Sequence, residues 1–372
     1  MNIKSKLFVV VILIFLSNCN SSVQKLDSPL VQSIDNIVAP YIDSNGPGLS
    51  LLVMEKGGEL ISKGYGLASL ELNVENDPEM IYKIGSLTKQ FTATAILKLE
   101  EDGKLSIKDD IRKYLPDYPD HGYKITIENL LNHTSGIPSF TDRSDISDIE
   151  KTELTPNQLI ALFKEEPLEF PSGEKYSYSD SGYVLLGLLI ERLSGVTYEK
   201  YITQNLFSKA ELNNTFCDNP EKLIMNRVPG YTLDSLGFKP AQYMTMKVPF
   251  AAGNLISNVN DLYTWTKTLH KGEIISKEQL SKMFTSAQVT SGEYTGYGFG
   301  TFVKTFADQR VYFHDGWIYG FISSQFYFPE SDIFIAVMSN STSIDSHEIA
   351  SKIIVELFKI ETSMAIDQLR WY

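Results

Sequence analysis

Apolar positions along the chain fall into three blocks. In the first, residues 30–41 repeat apolar side chains at helical spacing and stop at the turn-forming run Ser44-Asn45-Gly46-Pro47. Residues 49–54 and 60–65 are short apolar segments on either side of Lys56-Gly57-Gly58, which predicts a β-hairpin. After Ile84-Gly85-Ser86-Leu87-Thr88-Lys89 the helical period returns at Phe91, Ala95, Ile96 and Leu99, with Gly103 as a stop signal. The middle block, residues 108–210, is mostly helical with short loops. Its clearest helices are 127–132, 155–164 (opening on Thr-Pro) and the strongly apolar 183–193. Residues 217–248 are rich in turn formers and predict no element. The last block has helices at 260–270 and 276–284, then strands at 298–306, 310–313, 322–328 and 333–338, then a helix at 346–358. Strands at both ends with helices between predict one sheet built from the two terminal parts, with a helical insertion.

Composition limits the function classes. With 372 residues, 43% hydrophobic and 21% charged, this is an ordinary globular chain with room for a large core. A net charge of −13 argues against nonspecific nucleic-acid binding, which needs a basic surface. The five histidines show no paired metal-ligand spacing, so neither a metal nor another cofactor is expected. Lys4 and Lys6 precede a continuous apolar run at 7–16, about half the roughly 20 residues a spanning helix needs. Residues 1–18 therefore read as a signal peptide. Leu16-Ser17-Asn18-Cys19 resembles a bacterial lipoprotein cleavage site, which implies lipidation at Cys19 and a short polar tether at 19–27. The expected location is the bacterial cell envelope, with a lipid anchor in the membrane. Cys217 is then the only cysteine of the folded body, so no disulfide is expected and Cys217 reads as a packed small residue. Residues 361–372 read as a tail.

Candidate chemistry centres on Ser86. At the head of a helix, with Lys89 one turn on and on the same face, its hydroxyl has a neighbouring amine, and free backbone N–H groups can receive an oxyanion. The same spacing occurs at Ser22/Lys25 and Ser172/Lys175, and the pair alone is equally served by a helix cap and a solvated lysine. Two further segments change that picture. Pro171-Ser172-Gly173-Glu174-Lys175-Tyr176-Ser177-Tyr178-Ser179-Asp180 opens the apolar helix of the insertion, and Phe313-His314-Asp315-Gly316-Trp317 joins two strands of the terminal sheet.

With Ser-x-x-Lys, Tyr-x-Asp and His-x-Gly in this order, the sequence resembles the serine β-lactamase and penicillin-binding-protein superfamily, nearest its class C β-lactamase, DD-peptidase and esterase branch. Asn132-His133-Thr134-Ser135-Gly136, Ala252-Gly253-Asn254 and Tyr297-Gly298-Phe299-Gly300 extend the match. The resemblance implies an α+β fold, an antiparallel sheet flanked by helices plus an inserted, mainly helical subdomain. The catalytic domain would be 28–360, with its α/β part at about 28–105 and 249–360 and the insertion at about 106–248.

The resemblance also implies roles. Ser86 is the nucleophile and Lys89 the cation beside it. Tyr178, preferred to Tyr176 because it stands two before Asp180, is a general base whose phenolate Lys89 stabilises. The backbone N–H groups of Ser86 and Trp317 form the oxyanion hole, and His314, Asp315 and Gly316 make the third motif. Two residues depart from the pattern. Asp180 replaces an asparagine and can only accept hydrogen bonds when ionised. His314-Asp315-Gly316 replaces Lys-Thr-Gly, so a neutral imidazole and a carboxylate stand where a substrate carboxylate would bind. His133 reads as structural, and His121, His270 and His347 as isolated. The absence of a Gly-x-Ser-x-Gly run disfavours the other common esterase architecture.

The expected function is a serine hydrolase acting on esters or amides. The alternatives are a DD-carboxypeptidase, D-aminopeptidase or β-lactamase acting on peptidoglycan-type substrates, or a catalytically silent envelope lipoprotein that binds peptide or glycan. The partner is a small-molecule or peptide substrate, and the oligomeric state stays open.

Overall fold

A computed structural model describes residues 28–360 and 368–369. The expected signal peptide, Cys19, its tether and nearly all of the tail lie outside the described residues.

Six strands form the main sheet: β1 (Leu49–Glu55), β2 (Gly58–Tyr65), β3 (Phe302–Phe306), β4 (Gln309–Ile318), β5 (Phe321–Phe328) and β6 (Ile333–Ser339). Their order is β3-β4-β5-β6-β1-β2, and every pairing is antiparallel. β6 pairs with β1 in the register Leu52↔Ala336, so the two terminal parts of the chain meet in mid-sheet. The β1–β2 turn is made by Lys56 and Gly57, both at positive φ (50° and 72°), the conformation a two-residue hairpin turn requires.

Alternate residues of each strand face opposite sides of the sheet. Leu49, Leu51 and Val53 join a core closed by the terminal helices α1 (Pro29–Val38) and α5 (Ser346–Phe358), through Ile34, Val38, Ile349 and Ile353. Leu52 and Met54 enter the larger core on the other face. There the sheet packs against α4 (Val259–Lys271), and α2 (Thr88–Glu101) and α3 (Asp180–Ser194), packed on each other, share the same core. Covering both faces explains why β1 and β6 read as nearly unbroken apolar runs.

The middle helix, α2, is buried from Thr88 to Leu97. Phe91, Ile96 and Leu97 each contribute about 1.5–3 kcal/mol of burial. Its buried polar side chains are all bonded. Leu255 N–H donates to Thr88 Oγ1 (3.2 Å), Thr92 Oγ1 to the Ala251 carbonyl (2.6 Å), and Trp265 Nε1 to Gln90 Oε1 (2.9 Å). These bonds stitch α2 to α4 and to the short helix Phe250–Gly253.

Three local differences from the sequence expectations bear on the site. Ser86 lies inside a 3₁₀ turn, Gly85–Leu87, and makes no capping bond, which leaves its hydroxyl free for other partners. β4 runs on to Ile318, so His314 to Trp317 are strand residues and not a connection. At the start of the unassigned stretch, Phe216–Cys217 joins a small sheet with Tyr82–Lys83 and Leu255–Ser257, and within it Tyr231–Asp234 and Gly237–Pro240 form a hairpin.

The Ser86 turn and β4 approach each other more closely than side chains allow. A Cβ on Gly316 would stand 1.9 Å from the Ile84 carbonyl oxygen, and one on Gly85 would stand 2.8 Å from Trp317 N. Ser323 Oγ donates to the same Ile84 carbonyl (3.0 Å). Gly316→Ala should therefore destabilise the fold by about 1–3 kcal/mol, the usual cost of overpacking. A denaturant midpoint equal to that of the unchanged protein would refute the close approach.

Candidate active site

Lys89 is the buried centre of the site, with no exposed surface. Its ammonium has three acceptors: Ser86 Oγ at 3.0 Å, Asp180 Oδ1 at 2.6 Å and the Ala252 carbonyl at 3.0 Å. It also stands 4.8 Å from the centre of the Tyr178 ring and 5.5 Å from that of Tyr183, within cation–π range. Burial pushes its pKa down from the ordinary lysine value, and the Asp180 carboxylate opposes that shift without cancelling it. Asp180 opens α3, where negative charge is favoured by the helix dipole, and its N–H donates to Ser139 Oγ (3.1 Å).

The Tyr178 hydroxyl is buried and has no hydrogen-bond partner within ordinary geometry. Burial above all, and then the Asp180 charge, hold its pKa well above 10, while Ser86 favours the ionised form. The sequence leads one to expect a phenolate stabilised by Lys89. Burial and the Asp180 charge favour the neutral phenol in the resting site.

His133 fixes this segment from behind. Its carbonyl accepts from Ser177 N (2.9 Å), its Nδ1 accepts from Ser179 N (3.1 Å), and its ring lies 4.2 Å from that of Tyr178. Burial, with Lys89 and His314 nearby, pushes its pKa well below the ordinary value, so it is neutral.

His314 faces the same cluster from β4. Its Nδ1 lies 2.6 Å from the Asp315 carbonyl, which can only accept, so Nδ1 carries the proton and Nε2 accepts from the Tyr297 hydroxyl (3.0 Å). Burial and then Lys89 push its pKa down to about 4, which leaves it neutral near pH 7.

The strand period turns Asp315 the other way, towards α5. Its carboxylate accepts from Ser324 Oγ (2.6 Å) and from His347 Nδ1 (2.9 Å to Oδ2). Neither Asp315 nor Gly316 lines the cavity beside Ser86. The sequence places the Asp315 carboxylate where a substrate carboxylate would bind, and its bonds to Ser324 and His347 turn it away from that place. Asp315 is satisfied on the far face of the sheet, and Gly316 is what lets β4 reach Ile84.

That cavity measures about 350 Å³ and holds Ser86, Asp180 and Trp317 in its wall, together with Phe140, Met244 and Val248. Trp317 N runs against Gly85, as the close approach described above requires, so it neighbours the Ser86 backbone as an oxyanion hole demands. No lysine, arginine or histidine lines the cavity. Among the described residues no group of three or more His, Cys, Asp or Glu is arranged to hold a metal ion, and no helix is long and apolar enough to cross a membrane.

Sequence reasoning misses His347 and Glu150. Glu150 lines the cavity from the helical region. Each depends on a partner far away in the chain (Asp315 and Tyr319), and no local pattern marks either of them.

Comparison with known proteins gives a consistent picture. The Beta-lactamase family model matches residues 34–357. Protein flp of Staphylococcus aureus (strain N315) is 28% identical over 327 residues, covering 86% of this chain and 65% of its own length. The chain thus spans just under two thirds of that curated relative. Among solved structures, the octameric penicillin-binding protein homologue from Pyrococcus abyssi is 31% identical with a TM-score of 0.79, covering 90% of this chain and 78% of that one. A D-stereospecific amidohydrolase from Streptomyces sp. is 25% identical with a TM-score of 0.72, covering 86% and 96%.

The His347–Asp315 pair makes stability depend on pH. Burial alone would lower the His347 pKa, but the charge and hydrogen bond of Asp315 prevail and raise it. A histidine that binds its proton more tightly when folded adds stability fully present below its unfolded pKa of about 6.5 and lost as pH rises through the folded value. In urea unfolding, the gap in midpoint between the unchanged protein and Asp315→Asn should be wider near about pH 5.5 than near about pH 8.5. A gap that does not change with pH would contradict the pairing.

Proposed function

For a chain that belongs to the Beta-lactamase family, we propose a serine hydrolase that forms an acyl-enzyme at Ser86 and cleaves esters or amides of modest size. The observation that carries this reading is the 3.0 Å bond between Lys89 Nζ and Ser86 Oγ at the wall of a cavity of about 350 Å³.

In the proposed acylation, Ser86 Oγ attacks the substrate carbonyl carbon while its proton passes to Lys89 in the free-amine form that burial favours. The carbonyl oxygen becomes an oxyanion facing the N–H groups of Ser86 and Trp317. As the carbon–heteroatom bond breaks, Lys89 returns the proton to the leaving group, with the neutral Tyr178 ring packed 4.8 Å from its ammonium. Water then attacks the ester at Ser86, and the same groups work in reverse. His314 stays neutral and orients Tyr297, which packs beside Tyr178 at 6.3 Å between ring centres. Residues 28–360 form the catalytic domain in this reading.

The alternatives with a substrate carboxylate, and the silent one, fit less well. A β-lactam or a peptide ending in D-alanine carries a carboxylate, and a cavity wall without lysine, arginine or histidine gives it no cation. A silent binding protein would have no use for a lysine desolvated against a serine. Amide hydrolysis draws support from the Streptomyces relative described as a D-stereospecific amidohydrolase. We further propose that Cys19 is lipidated and holds the enzyme at the bacterial envelope, given the apolar run before it. Mass spectrometry of the mature amino terminus should find acyl chains on Cys19, and an unmodified terminus elsewhere would exclude the anchor.

A fluorophosphonate probe should label the unchanged protein and not Ser86→Ala. Lys89→Ala should lower ester turnover by about 10²-fold or more, the scale of a positioned acid–base group. Labelling of Ser86→Ala at the full rate would refute the nucleophile.

A further inference from the structure

One carboxylate in the cavity wall makes no ion pair among the described residues, although the Lys151 charge next to it in the chain acts on it. Glu150 is only 6% exposed, yet it lines the same cavity as Ser86. Its backbone is fixed, with the carbonyl accepting from Thr245 N (2.9 Å) and the N–H donating to the Ile146 carbonyl (2.9 Å). One side-chain oxygen, Oε2, accepts from the Tyr319 hydroxyl at 3.0 Å. The other, Oε1, meets no donor among the described residues, and no Lys, Arg or His there forms an ion pair with Glu150. Burial raises the Glu150 pKa, the Tyr319 hydroxyl and the Lys151 charge oppose that shift, and a cationic partner would favour the ionised carboxylate further.

The surroundings narrow what that partner is. Asp180, the other carboxylate of the wall, is already matched by Lys89 at 2.6 Å. Glu150 is therefore the carboxylate of the wall that makes no ion pair. Around it the wall is apolar, with Phe140, Ile146, Met244 and Val248. A ligand complementary to this space has an apolar body and one cationic hydrogen-bond donor. The sequence pattern assigns the negative charge beside the substrate to Asp315. His347 and Ser324 hold that residue on the far face, and Glu150 supplies the charge instead.

We propose that Glu150 is a specificity-determining residue that binds an ammonium group on the acyl part of the substrate, so that the preferred substrates are aminoacyl esters or amides with an apolar side chain. This rests on the hydrolase reading above. Tyr319, on the turn after β4, is a positioning residue that holds Oε2 and leaves Oε1 directed to the ligand. Trp317, 54% exposed and in edge contact with Tyr319 (5.1 Å between ring centres), borders the same cavity.

The test compares p-nitroanilides or p-nitrophenyl esters of an apolar amino acid, in both enantiomers, with the amine free or N-acetylated. The unchanged protein should favour the free amine in kcat/KM by about 10-fold or more, as expected of a buried charged hydrogen bond. The preference should fade as pH rises past the substrate's own ammonium pKa, near about 7.7–8.0. Glu150→Gln should bring the ratio to about 1, with fluorophosphonate labelling of Ser86 reporting that the variant is folded. If the unchanged protein is labelled and turns over the N-acetyl compound at least as well as the free amine, the proposal is wrong and the hydrolase reading stands. A Glu150→Gln variant that keeps the preference would refute the proposal in the same way. No labelling and no turnover of any ester would overturn the hydrolase reading, and this one with it.

Discussion

Desolvation of one ammonium group governs the rest of the site. Lys89 lies on a helix with no solvent-facing side over its first ten residues, among aromatic rings and carbonyl groups. Taking an ammonium out of water costs several kcal/mol unless acceptors replace the lost solvation. Here each of its three N–H bonds has an acceptor, and those acceptors are Ser86, Asp180 and the Ala252 carbonyl. The requirement to satisfy a buried cation therefore draws together a 3₁₀ turn, the start of α3 and the short helix Phe250–Gly253. The same burial depresses the Lys89 pKa, which makes this lysine a readier proton acceptor than one in water.

The scaffold around this group is built for close approach. Two glycines, Gly85 and Gly316, let the Ser86 turn and β4 come within backbone contact, and that contact brings Trp317 N beside Ser86. Ser323 and Leu255 hold Ile84 from both sides, through its carbonyl and its N–H. The sheet carries β4 rigidly because both its faces are covered. An oxyanion hole built from backbone groups needs this rigidity, since its donors have no side-chain freedom to adjust.

What can be read from sequence follows from local period and short motifs. α2, the β1–β2 hairpin, β6 and α5 are legible because their apolar spacing is regular and their ends carry turn or cap signals. The Ser86–Lys89 contact is legible because residues three apart on a helix share a face. His314 to Trp317 read as a connection because Asp315 and Gly316 weaken a strand pattern, yet pairing with Ser324 and Ser323 on β5 keeps them in the sheet. The fate of Asp315 is not legible, because its partner His347 stands 32 residues away on another layer. The Tyr178 expectation changes direction for a similar reason. Its pKa is set by burial and by Asp180, and burial depth is a property of the packed whole.

The central claim is that burial tunes Lys89 to take the Ser86 proton, with Asp180 limiting how far its pKa falls. The most direct measurement is the pH dependence of the Ser86 acylation rate by a neutral ester, in the unchanged protein and in Asp180→Asn. The unchanged protein should show a rate that rises with pH through an apparent pKa below the ordinary lysine value of about 10.4. Because the Asp180 charge raises the Lys89 pKa, removing it should move that limb to still lower pH. An acylation rate with no limb below the lysine range, or a limb that Asp180→Asn leaves in place or moves upward, would contradict the claim.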